Sequence, residues 1–114
     1  MKFERFEDII AWQKARLLTI DIYKIFNDIK DYGFKNQIQR ASVSVMNNIA
    51  EGYERKSNNE FGRFLYIAKG SCGEVRSMLY LAKDLEITNE DYLNKSILLS
   101  EEISRIISGL IKTL

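Results

Sequence analysis

Residues 58–85 read NNEFGRFLYIAKGSCGEVRSMLYLAKDL. Apolar side chains recur here at steps of three and four residues, which is the spacing of a helix with one face towards a core. Ser57 precedes the stretch and Glu60 follows three residues later, a pair typical of the capping box that starts a helix. The stretch therefore predicts a long amphipathic helix, and its predicted core face holds Phe61, Phe64, Ala68, Val75, Leu79 and Ala82.

Three further segments show the same periodicity, and short polar breaks separate them. The predicted helices span residues 7–29, 35–51, 58–85 and 89–113 of one domain, 1–114. The breaks are interpreted as a turn at Asp31-Tyr32-Gly33, a helix C-cap at Gly52, and a helix start at Thr88 with Asp91. Because the chain has no proline and its connections are short, we predict an all-α, antiparallel up-down four-helix bundle.

The first predicted helix carries more apolar surface than one bundle core uses. Its predicted core stripe consists of Ala15, Leu18, Ile22, Ile25, Phe26 and Ile29. A second stripe of Phe6, Ile10, Leu17 and Ile20 lies on roughly the opposite side. Large exposed apolar patches are rare on monomers, so either a crossing loop or another subunit is expected to cover it. The pattern favours a homo-oligomer.

Two glycines interrupt the third predicted helix on one face. Gly70 and Gly73 share this face with Ser77, and Tyr66 and Tyr80 flank it. A glycine inside a helix costs about 1 kcal/mol relative to alanine. The pair therefore indicates that another backbone comes close, and contact with a neighbouring helix of the same chain is the simplest interpretation.

The side chains that most enzymes use are missing from this sequence. The chain has no histidine, which excludes Ser-His and Cys-His nucleophile pairs and the carboxylate–histidine di-iron site of helical bundles. Its one cysteine, Cys72, excludes an internal disulfide and the usual structural zinc sites, and is interpreted as a packed apolar group. No phosphate-binding glycine loop is present. We predict no catalytic residue, no cofactor and no metal, hence no enzyme.

The acidic and basic side chains allow one further interpretation. Glu51 and Glu74 are a conceivable carboxylate pair, but a structural network in which Arg40, Arg63 and Arg76 neutralise such acids is favoured.

The chain also lacks the signals that direct a protein to a membrane. The opening MKFERFEDIIAW is charged and has no long apolar core, so it does not resemble a signal peptide. No uncharged apolar run approaches the roughly 18 residues that span a bilayer. We predict a cytoplasmic protein with no membrane partner.

Charge is distributed unevenly although the net charge is only +1. Residues 35–76 hold seven basic and four acidic side chains, whereas residues 77–114 hold four basic and six acidic. The connection at residues 52–59, GYERKSNN, combines a tyrosine with two adjacent cations beside a helix N-terminus, groups that meet phosphates and stack on unpaired bases. The predicted nucleic-acid-binding residues are Arg40, Arg55, Lys56 and Arg63. The alternative interpretation is an ordinary solvated turn.

Several stretches, taken in order, resemble one bacterial protein family. They are QIQRASVSV at 37–45, NIAEGY at 48–53, EFGRFLYIAKGS at 60–71, and the opening FED at 6–8 with WQKA at 12–15. The chain resembles the four-helix-bundle proteins encoded in intervening sequences of 23S ribosomal RNA genes, which are related to the accessory protein of diversity-generating retroelements. The resemblance implies a ring-like homo-pentamer and association with RNA. Met46 stands where the family usually has proline, so the second helix is expected to run straighter here.

The sequence thus supports two hypotheses about function. The first is an oligomeric, non-enzymatic protein that binds RNA. The second is a protein–protein interaction module, or a scaffold for another protein of a mobile element, which binds no nucleic acid.

Overall fold

The computed structural model describes residues 3–114 of the chain. It contains α1 (Ile10–Ile25), α2 (Tyr32–Glu54), α3 (Asn58–Asp84) and α4 (Glu90–Lys112), with a 3₁₀ turn at Phe6–Asp8 ahead of α1. No strand occurs within these residues. The predicted all-α four-helix bundle is confirmed.

Each helix packs against the helices that precede and follow it, and α4 closes the bundle against α1. Neighbours are antiparallel: Gln37, early in α2, donates a hydrogen bond to Glu74 in the second half of α3. At the opposite end of the pair, Gly52 near the end of α2 lies against Phe64 in the first half of α3. These contacts fit the up-down arrangement that short connections favour.

Side-chain caps fix where three of the helices begin. The Asp31 carboxylate accepts a hydrogen bond from the Phe34 amide, so α2 starts at Tyr32, and the predicted turn at residues 31–33 is in fact the first turn of that helix. The Ser57 hydroxyl accepts from the Glu60 amide, as the predicted cap requires. At α4 the cap is Asn89, whose side chain accepts from two amides, and not Thr88. An Asn side chain satisfies these free amides as well as Ser or Thr does.

The ends of the first two helices differ from the prediction in opposite directions. α1 ends at Ile25, and turns follow it before residue 29. In these turns the Asn27 carbonyl accepts a hydrogen bond from Lys35 Nζ. α2 continues through Gly52 to Glu54, so Gly52 is not a C-cap. Position 52 is a buried position within the helix, and it is a glycine because the phenylalanines of α3 leave no room for a side chain there. α2 also passes Met46 without a break, as expected where proline is absent.

The core is a single apolar cluster drawn from all four helices. Of the face predicted for α3, only Phe64 is partly exposed, and Leu65, Cys72 and Met78 join the buried set. On α1 the buried face includes Leu18, Ile22 and the adjoining Phe26. The apolar periodicity therefore located the core.

The second stripe of α1 faces solvent in the described chain. Ile10, Leu17 and Ile20 are 55%, 55% and 41% exposed. Phe6 does not belong to this stripe, because the 3₁₀ turn directs its ring against Trp12, with 5.2 Å between the ring centroids. No segment of residues 3–114 covers the three remaining side chains.

The glycine face of α3 also lies open. A Cβ added at Gly70 or at Gly73 would meet no atom within 4 Å. The contact with another helix of the same chain, expected from the sequence, is therefore wrong. Tyr66 and Tyr80 beside the glycines are 62% and 47% exposed.

Residues 3–114 contain neither a membrane-spanning helix nor a cluster of metal-binding side chains. None of the helices there is long and apolar enough to cross a membrane. Over the same residues, no group of three or more acidic or cysteine side chains is arranged to hold a metal ion.

Candidate nucleic-acid interface

Arg55 lies directly after α2, and the protein itself holds its guanidinium. The group pairs with the carboxylates of Glu51 and Glu60 at 3.4 Å and 3.9 Å. Its Cζ also lies 5.0 Å from the centroid of the Phe64 ring. Because these side chains are about half exposed, each ion pair contributes little to stability. A phosphate approaching Arg55 would nevertheless compete with two carboxylates.

The structure brings three of the four predicted cations together. Arg63 lines a cleft of about 200 Å³ with Arg55 and Glu60. Lys56 lines a neighbouring cleft of about 370 Å³, to which Arg55 also contributes. Arg55, Lys56 and Arg63 thus form one surface at the α2–α3 connection.

Acidic side chains offset this surface. Glu51, Glu54 and Glu60 belong to the same connection as the three cations, so its formal charge is zero. A polyanion is attracted by the summed field of a surface and not by single cations. The α2–α3 connection therefore offers a nucleic acid little net electrostatic attraction.

Arg40, the fourth predicted cation, lies elsewhere. It is exposed on α2, fifteen residues before Arg55. At 1.5 Å per residue, roughly 22 Å of helix separate the two positions. Arg40 does not contribute to the surface formed by the other three.

Tyr53 is not available to stack on a base. Its ring is half buried and lies edge-on to Phe61, with the centroids 5.9 Å apart. Its hydroxyl donates a hydrogen bond to the carbonyl of Phe3. This hydrogen bond holds the segment before α1 against α2. The sequence around Tyr53 did not indicate such a contact.

The polar network expected around Glu51 and Glu74 does not form among the described residues. Glu51 pairs with Arg55, whereas Glu74 accepts a hydrogen bond of 3.2 Å from Gln37 Nε2. Gln37 and Glu51 are fourteen residues apart on α2, so about 21 Å separates the two acids along the bundle. They are not a carboxylate pair.

Cys72 is a core residue, as its sequence context indicated. The side chain is fully buried, and Sγ donates a hydrogen bond of 3.1 Å to the carbonyl of Ser100 on α4. Burial raises the pKa of the thiol to about 11, although Arg76 and a hydrogen bond from the Ser104 backbone lower it in part. A thiol in this position does not ionise near neutral pH, which excludes ready nucleophilic reactivity.

A more strongly charged surface lies between α3 and α4. We call it the α3–α4 groove: a cleft of about 540 Å³ lined by Lys69, Arg76, Glu101, Ser104, Arg105, Ser108, Gly109 and Lys112. Four of these side chains are cationic and one is acidic, so the lining carries a formal charge of +3. None of the four cations forms an ion pair with another residue of the described chain.

The sequence did not reveal this groove because its cations lie in two segments of opposite net charge. Lys69 and Arg76 lie in a segment with basic excess, but Arg105 and Lys112 lie in one with acidic excess. In each helix the two cations are seven residues apart and thus on one face. The sequence did contain a signal for the groove: two helices predicted to be antiparallel neighbours each carry a pair of cations at the same spacing.

Known proteins resemble this chain in both sequence and fold. The family model described as 23S rRNA-intervening sequence protein matches residues 7–109. A solved structure of a protein with unknown function from the S23 ribosomal protein family of Bacteroides thetaiotaomicron is 25% identical, with a TM-score of 0.84. The similarity covers 90% of this chain and 99% of that one. No curated protein matches significantly.

The family model thus spans nearly the whole bundle, from the 3₁₀ turn to the last turns of α4. The solved relative shows that the fold is shared over the same length. On these grounds the chain belongs to the 23S rRNA-intervening sequence protein family.

Proposed function

We propose that this protein is a non-enzymatic, homo-oligomeric RNA-binding protein that acts in the cytoplasm. The observation that carries the oligomeric part of the proposal is the apolar outer face of α1. A monomer would leave this face in water, whereas a second copy of the chain would cover it.

The outer face of α1 is formed by Ile10, Leu17 and Ile20. At 100° per residue the centre of these positions lies about 130° around the helix from that of the buried Leu18 and Ile22. Full burial of such a side chain is worth roughly 1.5–3 kcal/mol, so covering three half-exposed ones contributes several kcal/mol per subunit. That gain is large enough to support association when both partners bring an apolar face.

The family resemblance supports a ring of five subunits as the form of this oligomer. A ring would repeat every surface of the bundle around one axis. When several weak sites act on one ligand, avidity exceeds the affinity of a single site by orders of magnitude if the geometry allows them to engage together. An oligomer would therefore allow a modest basic surface to bind RNA usefully.

RNA is the proposed ligand because the family is named for the intervening sequences of 23S rRNA, and because the bundle presents exposed cations. Fluorescence anisotropy with a labelled RNA hairpin, from roughly 50 to 300 mM salt, tests the proposal. We expect binding that weakens steeply as salt rises, since phosphate contacts release counterions. Absence of binding at the lowest salt concentration would contradict an RNA-binding function.

The same α1 face also favours a second function, that of a protein–protein interaction module without nucleic-acid binding. In that case the apolar stripe would bind a different protein, and the isolated chain would remain a monomer. The oligomeric state and RNA binding, measured together, distinguish the two functions. An oligomer that binds RNA supports the first, and a monomer that binds no RNA supports the second.

A further inference from the structure

We propose that the α3–α4 groove is the surface that binds RNA, by contacts to backbone phosphates from Lys69, Arg76, Arg105 and Lys112. The inference rests on the RNA-binding function proposed above and assigns it a site. That site is distinct from the α2–α3 connection, which the sequence favoured.

The four cations follow one another along the groove. Cys72 contacts Ser100, and because the helices are antiparallel, Lys69 lies nearly level with Arg105. Arg76 lies about two turns to one side of that level, and Lys112 about two turns to the other. Together they define a track roughly 24 Å long. A track of this length suits several successive phosphates of a strand and exceeds the size of one small anion.

The cations are free to meet a ligand. Arg55 at the other surface is held by two carboxylates, whereas the groove cations have no ion-pair partner within residues 3–114. The groove lining holds a single acid, Glu101. Phosphate binding here would displace no existing ion pair, so the electrostatic gain is not offset by a broken contact.

Hydroxyl groups complete the lining. Ser104 and Ser108 stand on α4 between the cations, and serine commonly donates to phosphate oxygens. Gly109 adds no side chain, and a Cβ there would meet nothing within 4 Å, so the groove stays open. These features position a phosphate backbone without reading base sequence.

Other polyanionic partners fit the groove less well. Binding to an anionic membrane normally combines cations with apolar side chains that enter the lipid. A protein partner needs apolar pockets that hold its anchor residues. Among residues 3–114, no large apolar side chain lines the groove. The groove therefore matches an RNA backbone better than either.

The test compares the wild-type protein with the double variant Lys69→Gln/Arg105→Gln, whose two positions are exposed on opposite walls of the groove. An RNA hairpin of about 20 nucleotides serves as the probe. If one groove makes four phosphate contacts, affinity falls roughly 50- to 150-fold between 50 and 200 mM salt. With two contacts left, the fall is about 7- to 12-fold. Lys24→Gln/Lys30→Gln, on exposed cations outside the groove, is the matched control and should keep the wild-type slope.

A variant that binds RNA more tightly is a useful complement, because misfolding could explain weaker binding but not tighter binding. Glu101→Gln removes the only acid of the groove and should tighten binding severalfold at low salt, since it removes repulsion towards phosphate. Wild-type binding with an unchanged slope in the groove variant would overturn the groove and leave the RNA-binding function standing. No RNA binding by the wild type would overturn both. Binding to phosphatidylserine vesicles but not to RNA would also overturn the inference.

Discussion

Gly52 on α2 and Phe64 on α3 are in closer contact than any side chain at position 52 would permit. A Cβ added to Gly52 would stand 2.5 Å from the Phe64 Cβ and 3.2 Å from its Cγ. The neighbouring Phe61 ring also lies 3.2 Å away. Since the obstructing atom is bound directly to the α3 backbone, rotation of a side chain cannot relieve the clash. The glycine therefore sets how closely α2 and α3 pack.

Replacing Gly52 by alanine should destabilise the bundle, although alanine is the better helix former. Moving α3 to make room costs about 1–3 kcal/mol, which exceeds the roughly 1 kcal/mol that alanine gains inside a helix. Urea denaturation followed by circular dichroism measures the change. A Gly52→Ala protein as stable as the wild type, or more so, would show that α2 and α3 are not in such close contact.

The same substitution should have the opposite effect on the open face of α3. Gly70→Ala and Gly73→Ala should each stabilise the protein by about 0.5–1 kcal/mol, because the new methyl group meets no atom within 4 Å. The comparison is best made in a protein that also carries Leu17→Glu, a charge on the outer face of α1 that opposes self-association, so that contacts between copies do not contribute. A loss of stability at either position would mean that another part of the chain approaches this face.

The buried thiol of Cys72 should make stability depend on alkaline pH. Burial raises its pKa from 9.0 in the unfolded chain to about 11 in the folded one. Between these values the unfolded chain has lost a proton that the folded chain still holds, so the free energy of unfolding falls as pH rises. The shift corresponds to about 2–3 kcal/mol.

Cys72→Ala serves as the matched variant, because other groups titrate in the same range and are common to both proteins. The free energy of unfolding should fall more steeply from pH 9 to 11 in the wild type than in Cys72→Ala. Parallel curves for the two proteins would contradict the assigned burial of the thiol.

The four helices could be predicted because each carries an apolar stripe that only helical spacing explains. Where a residue has two possible roles, local sequence did not decide between them. From the local sequence, Gly52 fits a helix end as well as a point of close contact between helices. The phenylalanines that require a glycine there lie on another helix, α3. Thr88 and Asn89 are both good caps, and the structure selects the second.

The candidate site was less predictable for a similar reason. Arg55 and Lys56 are adjacent in sequence and conspicuous, but the two acids that pair with Arg55, Glu51 and Glu60, lie four residues before it and five after it. The groove cations are far apart in the chain, and they come together only when α3 packs against α4. The exposed stripe on α1, in contrast, was predictable because one helix contains all of it.

The most direct test of the proposed oligomer is the mass of the protein in solution, measured by light scattering after size-exclusion chromatography. The wild type should show a multiple of the 13.3 kDa chain, and Leu17→Glu should shift it towards a monomer, because a charge would then lie in the buried α1 face. Leu85→Glu, the same change at an exposed leucine at the end of the bundle, should leave the mass unchanged. A monomeric wild type, or a Leu17→Glu protein that assembles like the wild type, would contradict self-association through α1.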